Sequence, residues 1–440
     1  MKSQRVDLRI DARWIIPIEP HGLTLANHAV LLDAGRIIDL LPAVDATARY
    51  QADKHVSLPE HVLLPGLVNA HTHAAMSLLR GYADDLALMD WLNLRIWPAE
   101  TAHVDWSFVH DGTSLACIEM LRGGVTCASD MYFFPDAACA AARKIGLRLV
   151  AGIVVIDLPT RYASDADDYL RKGIECLDQY RDDPLIRFTL APHSPYTVSD
   201  TTLERVAMLS AQLDLPVHIH VHETIKEIDD GVALHAMRPI ARLHALGLLG
   251  PQTIAVHAVH LNDLEIELLA RTGTSVVHCP TSNMKLASGI APIAALTAAG
   301  VNVALGTDGA ASNNRLDILG EARLAALLAK VDTGDATRLP AYQILRMATL
   351  AAAQAVGLDE QIGSIESGKQ ADLIAIRLDA TEMQPCYDPA SHVVFVAGRE
   401  QVSDIWIGGE RRMEDGVLLC ESKAATGRTA RVWQNRLARK

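Results

Sequence analysis

A chain of 440 residues, half of them hydrophobic and 21% charged, has an ordinary globular composition and can bury most of its apolar surface without staples. Its formal charge of −13, from 53 acidic against 40 basic side chains spread along the sequence, argues against the clustered Lys/Arg face that a nucleic-acid partner requires. Seven cysteines without a C-x-x-C pair speak for reduced thiols, no window reaches the ~18 apolar residues of a membrane span, and the first residues lack the apolar core of a signal peptide, so the expected setting is cytoplasmic with no membrane partner.

In chain order, 6–43 reads as a meander. Trp14-Ile15-Ile16-Pro17-Ile18 and Ala29-Val30-Leu31-Leu32 are β-like runs, set off by the turn signals His21-Gly22 and Asp33-Ala34-Gly35-Arg36. Eight apolar runs follow, most ending in a polar residue: 63–70, 125–130, 147–156, 186–192, 217–221, 253–259, 275–279 and 301–307. Helical stretches lie between them, among them 106–122, 202–212, 233–246 and 293–299. Eight strand–helix units in about 250 residues predict an α/β fold, a (β/α)₈ TIM barrel, and no G-x-G-x-x-G follows an early strand to favour a doubly wound sheet. Strand-like runs return at 371–376, 392–396 and 404–409, so the two ends are expected to form one small β-sandwich domain. The expected division is 1–60 and 369–440 for that domain, the latter with a polar, basic tail, and 61–368 for the barrel.

The first barrel strand ends in His71-Thr72-His73. Alternate strand residues point to one side, so both imidazoles can face one point on the barrel's catalytic rim, as a metal site requires. Strand five closes on His218-Ile219-His220-Val221-His222-Glu223. Three histidines there share one expected face, and one can be a ligand with the others behind it. The carboxylate just past the strand can take a proton from an activated water and deliver it to a ring nitrogen. Asp308, in Gly306-Thr307-Asp308-Gly309 at the end of strand eight, can complete a three-histidine, one-aspartate shell and accept the water's proton. His257, His260 and His278 also lie near strand ends, and spacing alone does not choose among them. Trp91 and Trp97 can wall a pocket or simply pack.

Several runs carry a resemblance: Leu64-Pro65-Gly66-Leu67-Val68-Asn69-Ala70-His71-Thr72-His73, Ile96-Trp97-Pro98-Ala99-Glu100, His278-Cys279-Pro280-Thr281-Ser282-Asn283-Met284-Lys285-Leu286, the T-D-G run, and Gly363-Ser364-Ile365-Glu366-Ser367-Gly368-Lys369-Gln370-Ala371-Asp372-Leu373. Over nearly the whole chain they resemble the amidohydrolase superfamily and, within it, the 5-methylthioadenosine/S-adenosylhomocysteine deaminases. The resemblance implies one zinc ion per subunit, held by His71, His73, His220 and Asp308. It makes Glu223 the proton shuttle that also touches the purine edge, Glu100 and His193 substrate contacts to ribose hydroxyls, and His257 the histidine assisting the water, with Asp308 as ligand and base. Two-metal relatives carry a lysine at the end of strand four; here that strand runs Phe188-Thr189-Leu190-Ala191-Pro192-His193, so one metal is expected. The implied partner is a small adenine-nucleoside substrate and a homo-oligomer is a family-level expectation; no residue is assigned to a homocysteine carboxylate, Arg161 being either a candidate for it or a solvent-exposed loop arginine. Two other readings stay open. One is an aminohydrolase or chlorohydrolase of another heteroaromatic, such as guanine or an s-triazine; the other is a non-catalytic barrel scaffold.

Overall fold

The computed structural model describes residues 3–420 and 423–438. From the N-terminal end come β1 (Gln4–Ile15), β2 (Leu25–Asp33), β3 (Arg36–Pro42) and β4 (Tyr50–Pro65). The middle supplies β5 (Leu67–Thr72), β6 (Val125–Asp130), β7 (Arg148–Val155), β8 (Ile186–Pro192), β9 (Val217–Val221), β10 (Thr253–His257), β11 (Ser275–His278) and β12 (Val303–Leu305). Toward the C-terminus lie β13 (Leu373–Arg377), β14 (Val402–Ile407), β15 (Glu410–Glu414) and β16 (Val417–Leu418).

Strands β5 to β12 pair in parallel in sequence order. The N–H groups of Thr307 and Asp308 donate to the His71 carbonyl at 3.1 and 3.0 Å, bringing the last strand back to the first. Every residue of β5, β6, β7 and β9 is buried, because the barrel core covers one face and helices the other. This is the expected (β/α)₈ barrel. The chain ends build a second, mixed sheet in the order β16-β15-β14-β13-β4-β1-β2-β3, with β1 and β4 parallel and the other neighbours antiparallel. After the barrel strands, helices begin at side chains that accept an N–H of the first turn: Asp165, Ser199, Thr224 and Asn262. These caps fix where each loop on the catalytic rim ends.

Four expected elements differ, each for a local reason. The run 63–70 is two strands, since β4 stays in the terminal sheet until Pro65 and β5 starts at Leu67. Gly66 makes the crossing, where a Cβ would collide with the Thr126 side chain. The stretch 233–246 breaks into helices Ile225–His235 and Pro239–Ala245, because Ala236 is left-handed (φ 57°) and Pro239 lacks an N–H to continue a ladder. The run 392–396 belongs to the helix Pro389–Phe395, whose start is set by Asp388 accepting the Ala390 N–H and by Pro389 in the first turn. The basic tail is a helix, Lys423–Leu437, that buries Trp433 against Phe108 (ring centroids 5.2 Å) and donates its indole N–H to Asp111 at 2.8 Å.

The two sheets are joined by Arg148 at the start of β7 and Asp372 before β13, both 1% exposed, through Nε–Oδ2 and Nη2–Oδ1 contacts of 3.0 and 3.1 Å. Breaking such a pair leaves an uncompensated buried charge. Arg148→Met should therefore lower unfolding free energy by about 3–5 kcal/mol in a urea titration; a loss below about 1 kcal/mol would place the pair among weak surface bridges. All seven cysteines are unbridged. Among the described residues, no helix is long and apolar enough to cross a membrane.

Candidate active site

At the carboxyl rim of the barrel, His71 and His73 reach inward from the end of β5, His220 from β9 and Asp308 from just after β12. The Nε2 atoms of His71 and His220 lie 3.2 Å apart, and Asp308 Oδ1 lies 3.4 Å from His71 Nε2 and 3.2 Å from His73 Nε2. Donors at about 2.0–2.1 Å from a tetrahedral divalent ion stand roughly 3.3 Å from each other, which is the spacing found. The other face of each ring is already taken. His71 Nδ1 meets His218 Nε2 (3.0 Å), His73 Nδ1 the Met131 carbonyl (2.6 Å), and His220 Nδ1 the His193 carbonyl (2.7 Å). These contacts fix the orientation of each ring and leave its Nε2 for a further partner. Asp308 Oδ2 accepts the hydroxyls of Ser282 (2.6 Å) and Ser312 (2.7 Å), and Oδ1 accepts the Gly309 N–H (2.8 Å). Two donor groups that share His71 result, one with His73 and Asp308 and one with His220 and His257, and such groups can hold a divalent metal ion.

Electrostatics point the same way. Burial drives the His71 imidazole down to about 4, a neutral state able to offer a lone pair. Burial also opposes charge on His73, but the Asp308 carboxylate outweighs it and lifts the ring to about 9. Asp308 itself is held well below the usual carboxylate range; burial works against that, and His71 and His73 overcome it. A cation-seeking carboxylate surrounded by imidazoles is the electrostatic complement of a metal ion.

Glu223 follows β9 and opens into the same cavity, with Oε2 3.8 Å from His257 Nε2 and Oε1 accepting the Ser288 hydroxyl at 3.3 Å. Burial raises its carboxyl above the ordinary range. His257, left-handed at the end of β10 (φ 72°), bonds Asn283 Oδ1 through Nδ1 at 2.8 Å and aims Nε2 at Glu223 and the histidine cluster. Of the alternatives near strand ends, His260 turns to the Ser288 carbonyl (2.7 Å), and His278 stays in the barrel interior with Nδ1 unpartnered. His222 leaves the face expected for it: its φ of 55° swings the ring toward Ile240 N (3.2 Å), so only His218 and His220 of that trio face inward.

His73, His220, Glu223, His257 and Asp308 line a cavity of about 290 Å³, close to the ~300 Å³ at which small-molecule sites begin. Trp91 and Trp97 both line it. Glu100, on the helix Trp97–His103, accepts the Tyr132 hydroxyl at 2.7 Å, and burial pushes its carboxyl up to about 7 against that donor. His193 also lines the cavity, and burial lowers its ring to about 3, keeping it a neutral hydrogen-bonding group. Arg161 stands exposed at the cavity wall, donating to the Ala102 carbonyl (2.9 Å). Lys285 is outside the site, bonded to Asp84 at 2.5 Å.

Sequence reasoning passed over the groups behind the site. Ser282 and Asn283 sit in the quoted His278–Leu286 run, so a signal existed. Ser312 and Tyr132 gave none, because each depends on a partner distant in the chain, while His218 stands behind a candidate ligand as the strand-five run allowed.

A family model described as the amidohydrolase family matches residues 62–412. The 5-methylthioadenosine/S-adenosylhomocysteine deaminase of Teredinibacter turnerae is 43% identical over 99% of this chain and 98% of its own. The deaminase of the same name from Saccharophagus degradans is 45% identical, covering 92% of this chain and 91% of its own. Among solved structures, an adenosine deaminase from Xanthomonas campestris with bound zinc has a TM-score of 0.98 at 50% identity, covering 99% of each chain. With most of its length matched by the family model and such identity across nearly all of it, the chain belongs to the amidohydrolase family, among its 5-methylthioadenosine/S-adenosylhomocysteine deaminases.

Proposed function

We propose that the chain hydrolyses the 6-amino group of adenine nucleosides, 5'-methylthioadenosine, S-adenosylhomocysteine and adenosine among them, to the inosine analogue and ammonia. One zinc ion per subunit would be held by His71, His73, His220 and Asp308. The observation that carries the reading is the placement of a buried carboxyl, Glu223, in a cavity lined by His73, His220, His257 and Asp308, members of two donor groups that meet at His71. The names of the relatives supply the substrate class.

An aromatic amine is a poor leaving group until the ring nitrogen beside it is protonated and C6 becomes tetrahedral. When bound, the ion supplies a water activated at neutral pH. The chain's own groups then manage two protons. Glu223 accepts the first and delivers it to N1, where it stays in the product. Asp308, with Oδ2 anchored by Ser282 and Ser312, accepts the second, which goes to the departing amine. His257 has Nδ1 committed to Asn283, so Nε2 is free to orient the water. C6 gains a carbonyl, the C–N bond breaks, and ammonia leaves. Glu100 and His193 line the cavity with the polar groups suited to ribose hydroxyls.

Leaving-group release across a substrate panel tests this, read as ammonia from the nucleosides and guanine and as chloride from a chloro-s-triazine. The three adenine nucleosides should turn over, with free guanine and a chloro-s-triazine at least ~10²-fold lower in kcat/KM, because they lack the ribose whose binding energy the site uses. Preference for either of the latter two would replace the reading.

A further inference from the structure

The turn that carries Glu223 is held by an unusual use of a helix cap. β9 stops at Val221, His222 is left-handed, and the helix Ile225–His235 begins after Thr224, whose hydroxyl accepts the Glu227 N–H at 3.2 Å. In a Thr-x-x-Glu start the glutamate ordinarily reaches back to the cap residue's own N–H. Here it reaches further. Glu227 Oε1 accepts the His222 N–H at 2.8 Å and Oε2 the Glu223 N–H at 2.9 Å. One buried carboxylate thus clamps two successive amides, the second belonging to Glu223.

The other sides of this turn are tied as well. Val259 and His260 donate to the His222 carbonyl at 3.0 and 3.1 Å, and Ile240 N–H reaches the His222 ring. Among the described residues the Glu223 carboxyl has only loose polar neighbours, Ser288 at 3.3 Å and His257 at 3.8 Å. Its place in the cavity therefore comes from the backbone, and Glu227 is the side chain that holds the Glu223 amide of that backbone. We infer that Glu227 is a positioning residue for the reaction, acting on catalysis through the location of Glu223. The inference rests on Glu223 being the proton carrier. A carboxylate suits the task because both arms accept; a glutamine offers one oxygen and turns an NH₂ against the second amide.

A double-mutant cycle over Glu223→Gln and Glu227→Gln tests it, with kcat, KM and metal content measured for methylthioadenosine. A displacement of about 1 Å in a reacting group can lower rate ~10²-fold, so Glu227→Gln alone should lower kcat by roughly 10- to 100-fold at unchanged metal content. KM should stay within about threefold, since the contact acts on the chemical step. In the Glu223→Gln background the same change should lower kcat by less than about twofold, because the group it positions is already gone. Equal losses in both backgrounds, or a single variant within about twofold of the parent, would overturn the inference. Glu227→Asp keeps the charge but shortens the arm, and it is expected to show the same loss and the same non-additivity should the glutamine variant not fold. Near-normal kcat in Glu223→Gln itself would remove the underlying reading of Glu223. A silent Glu227→Gln beside a crippled Glu223→Gln would remove this inference alone.

Discussion

Glu223→Gln lowers kcat for adenine nucleosides by about 10²–10⁴-fold, the range for loss of a positioned general acid–base group, while the metal ion stays bound. Glutamine matches glutamate in size and can still accept the Ser288 hydroxyl now bonded to Oε1. It cannot take a proton from water and hand it to N1. The Glu223 backbone N–H remains on Glu227, so the turn keeps its shape. None of the four donor residues is altered, so zinc content should equal that of the parent and KM should change little. Steady-state kinetics paired with elemental analysis separate the outcomes. Near-normal deamination with zinc retained would take Glu223 out of the mechanism.

Asp308→Ala is expected to reduce activity to the assay background, because in the proposed mechanism one side chain would serve both as donor to the ion and as proton acceptor. Its loss also strands groups packed around it. The Ser282 and Ser312 hydroxyls lose a shared acceptor 2.6 and 2.7 Å away, and the His73 ring loses the anion that lifts it to about 9 against burial. Metal affinity should fall with activity. Chelation of the parent protein should reproduce the loss, and one equivalent of zinc should reverse it in the parent but not in the variant. An ion present at 100 times its dissociation constant stabilises a fold by about 2.7 kcal/mol, so the chelated parent should also unfold at lower temperature. Unchanged activity after complete metal removal would contradict this account.

Much of the barrel was legible because its strands are buried and so appear as short runs rich in apolar and small residues between helical stretches; 125–130, 186–192 and 217–221 coincide with β6, β8 and β9. The rim residues were legible for a related reason, since polar groups at the ends of such runs have few structural uses. Periodicity failed where cap chemistry decided the outcome. His392-Val393-Val394-Phe395-Val396 has strand composition, yet Asp388 and Pro389 start a helix ahead of it. It failed again at His222, where one left-handed residue ended the alternation that would have kept three histidines on one face. Glu227 under the Glu223 turn was hidden because a hydrogen bond's partner leaves no periodic trace, whereas Asn283 under His257 lies in a run that a motif marked. The terminal helix was hidden by its own charge, with Trp433 and Leu437 the large apolar residues it buries.

Anomalous diffraction at the zinc edge tests the central claim most directly. The account predicts one peak per chain, about 2.0–2.2 Å from Nε2 of His71, His73 and His220 and from a carboxylate oxygen of Asp308. A second peak of equal height, or a single ion that His257 binds in place of Asp308, would contradict it.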